Sequence, residues 1–315
     1  MNAEKEKVEN RKAYAVETVG LTKLYGDKAA VKDLNLKVGE GQIYGFIGRN
    51  GAGKSTTLKM LSGLAAPTSG EVRLFGKPVS ESAVRRRLGV LIEAAGLYPN
   101  MTARQNGVLK AKCMGLADEK RVDEALELTG LADTGKKQVK HFSMGMKQRL
   151  GVALALLGNP DLLILDEPIN GLDPIGIAEV RSFIRNLCDD RGKTILISSH
   201  ILSEIALLAD DIGIIDHGIL LEEESFAKLE QKSSRYIQFT VSDTALAATV
   251  LERRFHETQF TIQDDRNLQL HDLNLPVAEV VAAFVKNGLA VSEAHTCEES
   301  LEDYFKRVTG GEGIA

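Results

Sequence analysis

The segment "GFIGRNGAGKSTTLKML", from Gly45 to Leu61, constrains the fold more than any other part of the chain. It reads as an apolar strand, a glycine-rich turn and the start of a helix, and the turn fits the spacing G-x-x-x-x-G-K-[ST]. Glycines in such a turn let successive N–H groups face inward, and the helix adds the partial positive charge of its N-terminus. The segment therefore predicts a loop that binds the phosphates of a nucleotide.

The sequence around this loop predicts an α/β fold. Apolar and polar residues alternate from Tyr14 to about Gln42, which indicates a small antiparallel β subdomain. The stretch from Ala94 to Gly158 has helical spacing and ends at a proline, which predicts a helical subdomain. Strands and helices then alternate, as in a largely parallel sheet with helices on both faces.

Changes in composition divide the chain into three parts. Residues 1–13 are charged and predict a flexible tail, and residues 14–232 carry the α/β pattern. Beyond Ser234, residues 235–315 follow a strand–helix–strand–strand–helix–strand order. That order predicts a small α+β domain of the ferredoxin-like type.

The composition excludes several classes of function. The net charge of -5 and the absence of Trp argue against broad nucleic-acid binding through a basic face or stacking platforms. The three cysteines are far apart and form no metal-binding spacing, as is typical of reduced thiols in a cytosolic protein. The N-terminus has no apolar core, which argues against a signal peptide, and no apolar run is long enough to cross a bilayer.

The segment "LLILDEP", from Leu162 to Pro168, is the second chemical motif. An apolar strand delivers Asp166 and Glu167 at its carboxyl end, where open α/β sheets bind ligands. We expect Asp166 to bind Mg²⁺ directly or to contact one of the groups that bind it. We expect Glu167 to orient or deprotonate an attacking water. Two acidic residues that cap a helix would give the same local pattern.

The order of the motifs resembles the ATPase subunit of an ABC transporter. "HFSMGMKQRLGVALALL" lies shortly before "LLILDEPINGLDP", and both follow the phosphate loop. The resemblance covers about Tyr14 to Gln231. It implies a chain that binds and hydrolyses ATP with Mg²⁺, in a nucleotide sandwich with a second copy or a paralogous ATPase. It also implies a cytoplasmic subunit that docks peripherally, through a multi-spanning permease, on the inner face of the cell membrane.

The resemblance assigns roles to single residues of this chain. Lys54 would reach the β and γ phosphates and Ser55 would bind Mg²⁺. Glu167 and His200, the switch histidine after "TILISS", would be catalytic. Tyr25 would stack on adenine, although a tyrosine of the core would look the same in sequence. The residues assigned to the nucleotide are Tyr25, Gly48, Asn50, Gly51, Gly53, Lys54, Ser55, Thr56, Ser143, Gly145 and Asp173, and those assigned to the metal are Ser55, Glu93 and Asp166.

Three of these residues are expected to act across the sandwich. Ser143 and Gly145 resemble the signature loop that contacts a γ-phosphate bound by the other copy, and Asp173 matches the loop that crosses the interface. Asp173 is also placed to cap the helix that follows it. The remaining histidines lack a comparable context and are interpreted as ordinary surface or core residues; they are His141, His217, His256, His271 and His295.

Two departures from the family pattern narrow the resemblance. Glu93 stands where many relatives have a glutamine that binds Mg²⁺ and senses the permease, and the signature "SMGMK" lacks the usual double glycine and glutamine. Together with "AGLYPNMTARQN", these segments resemble the ATPases of bacitracin and lantibiotic exporters. Glu93 therefore puts the coupling to the permease in question more than it does ATP binding.

Three other classes of ABC protein stay open as alternatives. Ribosome-acting resistance factors usually carry two ATPase units, whereas this chain has a single G-x-x-x-x-G-K-S. Chromosome or repair ATPases usually insert a long coiled coil before the signature, and no sustained heptads occur here. A regulatory nucleotide switch without turnover would not need Glu167 and His200.

Overall fold

The computed structural model describes residues 14–93, 95–232, 235–298 and 301–310. The tail predicted at residues 1–13 lies outside the described residues. The chain forms two compact units, one that reaches to Phe226 and one that starts at Ala227. None of the described helices combines the length and the apolar character that a bilayer-spanning helix requires.

The first unit alternates strands and helices along most of its length. Its strands are β1 (Tyr14–Tyr25), β2 (Lys28–Leu34), β3 (Lys37–Gly39), β4 (Ile43–Ile47), β5 (Ser69–Leu74), β6 (Lys77–Pro78), β7 (Leu88–Leu91), β8 (Leu162–Asp166), β9 (Thr194–Ser199), β10 (Asp211–Asp216) and β11 (Ile219–Ser225). Its helices are α1 (Lys54–Leu61), α2 (Ser82–Arg85), α3 (Ala103–Cys113), α4 (Lys120–Leu128), α5 (Met144–Leu156), α6 (Pro174–Asp189) and α7 (Leu202–Ala206).

A small antiparallel sheet forms from the N-terminal strands. Its order is β2-β1-β5-β6, and β3 pairs with β1 beyond the β1–β2 hairpin. Every second residue of these strands tends to be buried, and Val16, Val31 and Val38 are fully inaccessible to solvent. The alternation in the sequence therefore arises because one face of this sheet packs on the core while the other meets water.

A second sheet carries the loops that matter for function. Its order is β11-β10-β4-β9-β8-β7, and all neighbours are parallel except β11, which is antiparallel to β10. Strands β4, β8 and β9 are buried along their whole length, which explains why most of their residues are apolar. Their carboxyl ends lie at one edge of the sheet, because Ile47 pairs with Ser199 and Asp166 with Ser198.

The helical segment predicted between Ala94 and Gly158 contains α3, α4 and α5. Helix α3 begins with a capping box in which Thr102 and Gln105 exchange hydrogen bonds. Val122 of α4 and Leu150 of α5 are fully buried in a cluster that the three helices share. This cluster gives the segment a core of its own beside the parallel sheet.

The second unit is an antiparallel sheet with helices. Its elements are α8 (Phe226–Lys232), which begins at the boundary, β12 (Arg235–Val241), α9 (Thr244–Val250) with a π-helical turn at Leu251–Phe255, β13 (Phe260–Ile262), β14 (Asn267–Leu270), α10 (Val277–Lys286), β15 (Val291–Glu298) and α11 (Leu301–Val308). The sheet order is β13-β14-β12-β15. Phe239 and Phe284 meet edge to face in its core, with ring centroids 5.3 Å apart. The order of elements is that of a ferredoxin-like unit.

Candidate functional site

The phosphate loop joins strand β4 to helix α1. Gly53 directly precedes the helix with a φ of 109°, a conformation that side chains rarely adopt. A Cβ atom at this position would lie 2.6 Å from the carbonyl oxygen of Ala30. Glycine is therefore required here both by the backbone angle and by the close approach of the neighbouring strand.

Lys54 begins helix α1 with a side chain that is only 6% exposed. Its Nζ atom donates hydrogen bonds to the carbonyl oxygens of Gly48, at 2.7 Å, and Arg49, at 3.2 Å. The same atom lies 3.2 Å from Oε1 of Glu167. The ammonium group is thus held between the backbone of the phosphate loop and the carboxylate of Glu167, which directly follows strand β8.

The buried carboxylate of Asp166 ends strand β8, and it is oriented by the neighbouring strand. The hydroxyl of Ser198 in β9 donates a hydrogen bond of 2.5 Å to Oδ1 of Asp166. The same hydroxyl oxygen accepts the backbone N–H of Glu167 at 3.0 Å. One fully buried serine therefore fixes both acidic residues of the "LLILDEP" segment.

Glu167 connects the phosphate loop to His200. Its backbone has a φ of 50°, which is unusual for a residue with a side chain and turns the chain sharply after the strand. While Oε1 faces Lys54, Oε2 lies 2.7 Å from Nδ1 of His200. The structure thus brings Lys54, Glu167 and His200 into one continuous line of contacts.

Lys54 and Glu167 border a cavity of about 470 Å³, a size within the range of ligand sites. Tyr25, at the end of β1, is 55% exposed, and the Lys23 ammonium lies 5.2 Å from the centroid of its ring. Exposure of this kind is what a stacking surface needs, and it excludes a tyrosine of the core. The lining residues are Tyr25, Lys28, Ala29, Ala30, Arg49, Asn50, Gly51, Gly53, Lys54, Ser55, Thr56, Glu167, Asn170 and His217.

Some residues of this wall carry no signal in the sequence. Arg49 makes a two-pronged ion pair with Asp216 of β10, with Nη2 at 2.9 and 3.0 Å from the two carboxylate oxygens. The ring of His217, interpreted from sequence as an ordinary residue, lies 3.2 Å from the same guanidinium and lines the cavity. Because β10 and β4 are neighbours only in the folded sheet, the sequence alone does not indicate that Arg49 contacts Asp216 and His217.

Comparisons with known proteins agree with this geometry. Residues 31–170 match the sequence family described as ABC transporter. The chain is 46% identical over 304 residues to the bacitracin transport ATP-binding protein BcrA of Enterococcus faecalis, covering 96% of this chain and 98% of that protein. It is also 46% identical to the lantibiotic transport ATP-binding protein SrtF of Streptococcus pyogenes, covering 65% of this chain and 88% of that protein.

Solved structures give the same result for the fold. The ATP-binding cassette MJ0796, bound to ADP and Pi in a dimeric post-hydrolysis structure, matches with a TM-score of 0.60 at 26% identity, covering 67% of this chain and 98% of that chain. CbiO1 from Clostridium perfringens matches with a TM-score of 0.64 at 26% identity, covering 78% of this chain and 97% of that one.

The chain belongs to the ABC transporter family. It is therefore an ABC ATPase, and the predicted α/β fold with a phosphate loop, a helical segment and a small β subdomain is confirmed.

The residues that this ATPase is expected to use across a sandwich lie apart from the cavity wall. Ser143 caps helix α5 by accepting the N–H of Met146, and Asp173 caps α6 by accepting the N–H of Gly176 at 2.9 Å. A Cβ atom on Gly145 would lie 3.6 Å from Leu172, so the two helix starts are adjacent. Ser143 and Asp173 are both exposed, which leaves these helix starts accessible to another molecule.

Glu93 follows strand β7 with a φ of 63° and pairs with Lys59 of helix α1. The Glu93 side chain is 65% exposed. The hydrogen bond from Lys59 to Glu93 is the largest cause of a raised pKa for the Lys59 ammonium. The carboxylate assigned from sequence to Mg²⁺ therefore has a cationic partner on the helix that begins at the phosphate loop.

Proposed function

We propose that this ABC ATPase powers the export of a peptide antibiotic, such as bacitracin or a lantibiotic, through a separate membrane permease. The line of contacts from Lys54 and Glu167, in the wall of the phosphate-loop cavity, to His200 behind Glu167 is the observation that carries the proposal for hydrolysis. The substrate class is supported by the relatives of 46% identity, which are named for bacitracin and lantibiotic transport.

The nucleotide is bound by the phosphate loop and by Tyr25. Backbone N–H groups of the loop and the start of α1 face the phosphates, and Lys54 places its ammonium beside the β and γ groups. Tyr25 offers its exposed ring to adenine. These contacts orient the triphosphate without any covalent step, and positioning with electrostatics supplies most of the catalysis.

Magnesium fits the oxygen ligands that this site offers. The Ser55 hydroxyl and the Asp166 carboxylate are hard oxygen donors, which Mg²⁺ prefers. Bound Mg²⁺ neutralises charge on the phosphate oxygens. Asp166 is only 4% exposed and accepts a hydrogen bond from Ser198, so its carboxylate already has a fixed orientation in which it can bind a cation.

Glu167 and His200 act on the water and on the γ-phosphate. Glu167 is the group that aligns the water and accepts its proton, and His200 is the group that steadies the γ-phosphate. Their hydrogen bond of 2.7 Å fixes the orientation of both side chains. Gln148 of α5 donates to the carbonyl oxygen of Glu167 at 3.3 Å, so the helix behind the signature is linked to the catalytic segment.

A second copy of the chain, or a paralogous ATPase, completes the sandwich in this proposal. Ser143, Gly145 and Asp173 are the residues that would meet the nucleotide and loop of that partner. Their exposure at two adjacent helix starts supports this arrangement, because N–H groups at a helix start favour a phosphate. The dimeric form of the structural relative MJ0796 supports it as well.

We assign the docking surface for the permease to the helical segment and the strand beside it. An apolar groove runs between strand β7 and helices α3 and α5, bordered by Leu91, Met114 and Leu154. Met114 is 42% exposed, and Leu64 at the rim is 68% exposed, which suits a groove that a partner covers. Docking there would hold the ATPase at the inner face of the membrane, beside the Glu93 loop.

The experiment that tests hydrolysis uses Glu167→Gln. This variant should bind ATP as the parent does and lose turnover by about 10²- to 10⁴-fold, the contribution of a positioned acid–base group. ATP binding is measured by equilibrium titration and turnover by phosphate release. The exposed, salt-bridged Glu71→Gln is the matched control and should turn over normally. Normal turnover of Glu167→Gln would remove this residue from the mechanism.

A further inference from the structure

A second cavity of the first unit lies at the opposite edge of the parallel sheet. It has a volume of about 260 Å³ and is bordered by helix α4, the end of α5 and the connection from α6 to β9. Lys193 borders it and directly precedes Thr194, the first residue of β9. Asp166 and His200 lie at the other ends of these strands, so this cavity is separate from the nucleotide site.

Three cationic side chains border this cavity, together with a single carboxylate, Glu124. Within the described part of the chain, Arg121 and Arg191 make no ion pair. Other arginines of the same unit do: Arg104 pairs with Glu119 and Asp123, Arg149 with Glu179, and Arg185 with Asp189 and Asp210. Among the described residues, Arg121 and Arg191 thus differ from these three arginines in having no carboxylate partner.

Lys193 adds a third, partly buried cationic group to this cavity. Its ammonium donates a hydrogen bond of 2.8 Å to Oδ1 of Asn159. Burial lowers the pKa of this ammonium, the Asp161 carboxylate opposes that change, and the charge of Arg191 adds a smaller lowering. A half-buried cation beside another cation gains when an anion enters the same space.

We propose that this cavity binds a phosphate monoester carried on a small organic group. Two guanidinium groups and one ammonium suit the phosphate, because arginine makes paired hydrogen bonds to its oxygens. Leu128 and Leu187 give the cavity an apolar wall for the organic part. The volume lies just below the range of sites for drug-sized ligands, which suits a small molecule.

The site joins two parts of the unit. Arg121 lies on α4 of the helical segment, whereas Arg191 and Lys193 lie on the connection into the parallel sheet. A bound phosphate holds these parts together. If the helical segment moves during the ATP cycle, as the proposed function requires, the ligand also changes the rate of hydrolysis; binding itself does not depend on that function.

The test uses glycerol 3-phosphate as the soluble probe and vesicles containing phosphatidic acid as the source of the same group on a lipid. The full chain is saturated with ADP and Mg²⁺ so that the phosphate loop is filled. Hydrogen exchange locates binding, and titration calorimetry or vesicle sedimentation measures it. The variants are Arg191→Gln and Lys193→Gln, with Arg86→Gln, an exposed arginine of the same unit, as the matched control.

Glycerol 3-phosphate should protect residues 120–128 and 187–193 from exchange, and Arg191→Gln should weaken binding by about tenfold, as expected for one charge-assisted hydrogen bond. Binding of the vesicles alone, with the same loss in the variants, would assign the phosphate to a lipid headgroup. The proposal is overturned if neither probe binds, or if Arg86→Gln weakens binding as much as Arg191→Gln. Loss of ATP hydrolysis in Glu167→Gln leaves this result unchanged, which separates the two proposals.

Discussion

Replacing Ser198 by alanine tests whether one buried hydroxyl sets the geometry of both acidic residues. The hydroxyl donates to Asp166 at 2.5 Å and accepts the N–H of Glu167 at 3.0 Å. A hydrogen bond to a charged group contributes about 1.5–3 kcal/mol, so Ser198→Ala should lower the free energy of unfolding of the first unit by about 2 kcal/mol. The N–H of Glu167 keeps a second acceptor, the carbonyl oxygen of Ser198 at 3.2 Å, which limits the loss.

The same substitution should reduce catalysis, because the Asp166 carboxylate and the backbone of Glu167 both lose a partner that orients them. A displacement of about 1 Å in a catalytic group costs about 10²-fold in rate, so we expect kcat to fall by about 10- to 100-fold, with a smaller change in KM for ATP. Initial rates of phosphate release give kcat and KM, and urea unfolding gives the stability.

The neighbouring residue supplies a matched control. Ser199 is as fully buried as Ser198, but its hydroxyl bonds only with the backbone of Ile201. Ser199→Ala should therefore cost about 1 kcal/mol of stability and leave kcat close to that of the parent. Normal turnover of Ser198→Ala, or an equal fractional loss of kcat in both alanine variants, would exclude this role for the Ser198 hydroxyl.

Two further predictions concern coupling and packing. Glu93→Gln should keep ATP binding but change how strongly the permease stimulates hydrolysis, because it removes the charge that pairs with Lys59; equal stimulation of parent and variant would exclude Glu93 from coupling. Gly213→Ala places a methyl group 2.3 Å from the hydroxyl oxygen of the buried Tyr44, which donates to Glu223 at 2.8 Å. We expect a loss of about 1–3 kcal/mol in urea unfolding, and an unchanged midpoint would contradict the packing described for this strand.

Much of the fold could be predicted because its signals are local. The strand, loop and helix around Lys54 are contiguous in sequence, and Asp166 follows an apolar run whose carboxyl end must lie at the ligand edge of a parallel sheet. The starts of helices α5 and α6 could also be predicted, since serine and aspartate, here Ser143 and Asp173, often accept hydrogen bonds from backbone N–H groups at a helix start. The βαββαβ order of the second unit could be predicted from the succession of strand and helix patterns along residues 235–315.

The contacts that shape the site could not be predicted, because they join residues far apart in the chain. Arg49 and Asp216 are 167 positions apart and meet only because β4 and β10 are neighbours. Ser198 reaches Asp166 across 32 positions through the register of β8 and β9. The partner of Glu93, Lys59, likewise depends on where helix α1 crosses the sheet. Sequence spacing indicates which residues carry chemistry, whereas strand order decides which of them touch.

We propose that ATP hydrolysis by this chain drives a peptide-antibiotic exporter. The most direct measurement is the ATPase activity of the chain purified from membranes with its permease, with and without bacitracin or a lantibiotic. We expect the permease to co-purify and one of these peptides to raise the rate of hydrolysis, while Glu167→Gln abolishes that rise. A permease that co-purifies without any response to these peptides would contradict the assigned substrate, and the absence of any membrane partner would contradict the transport function itself.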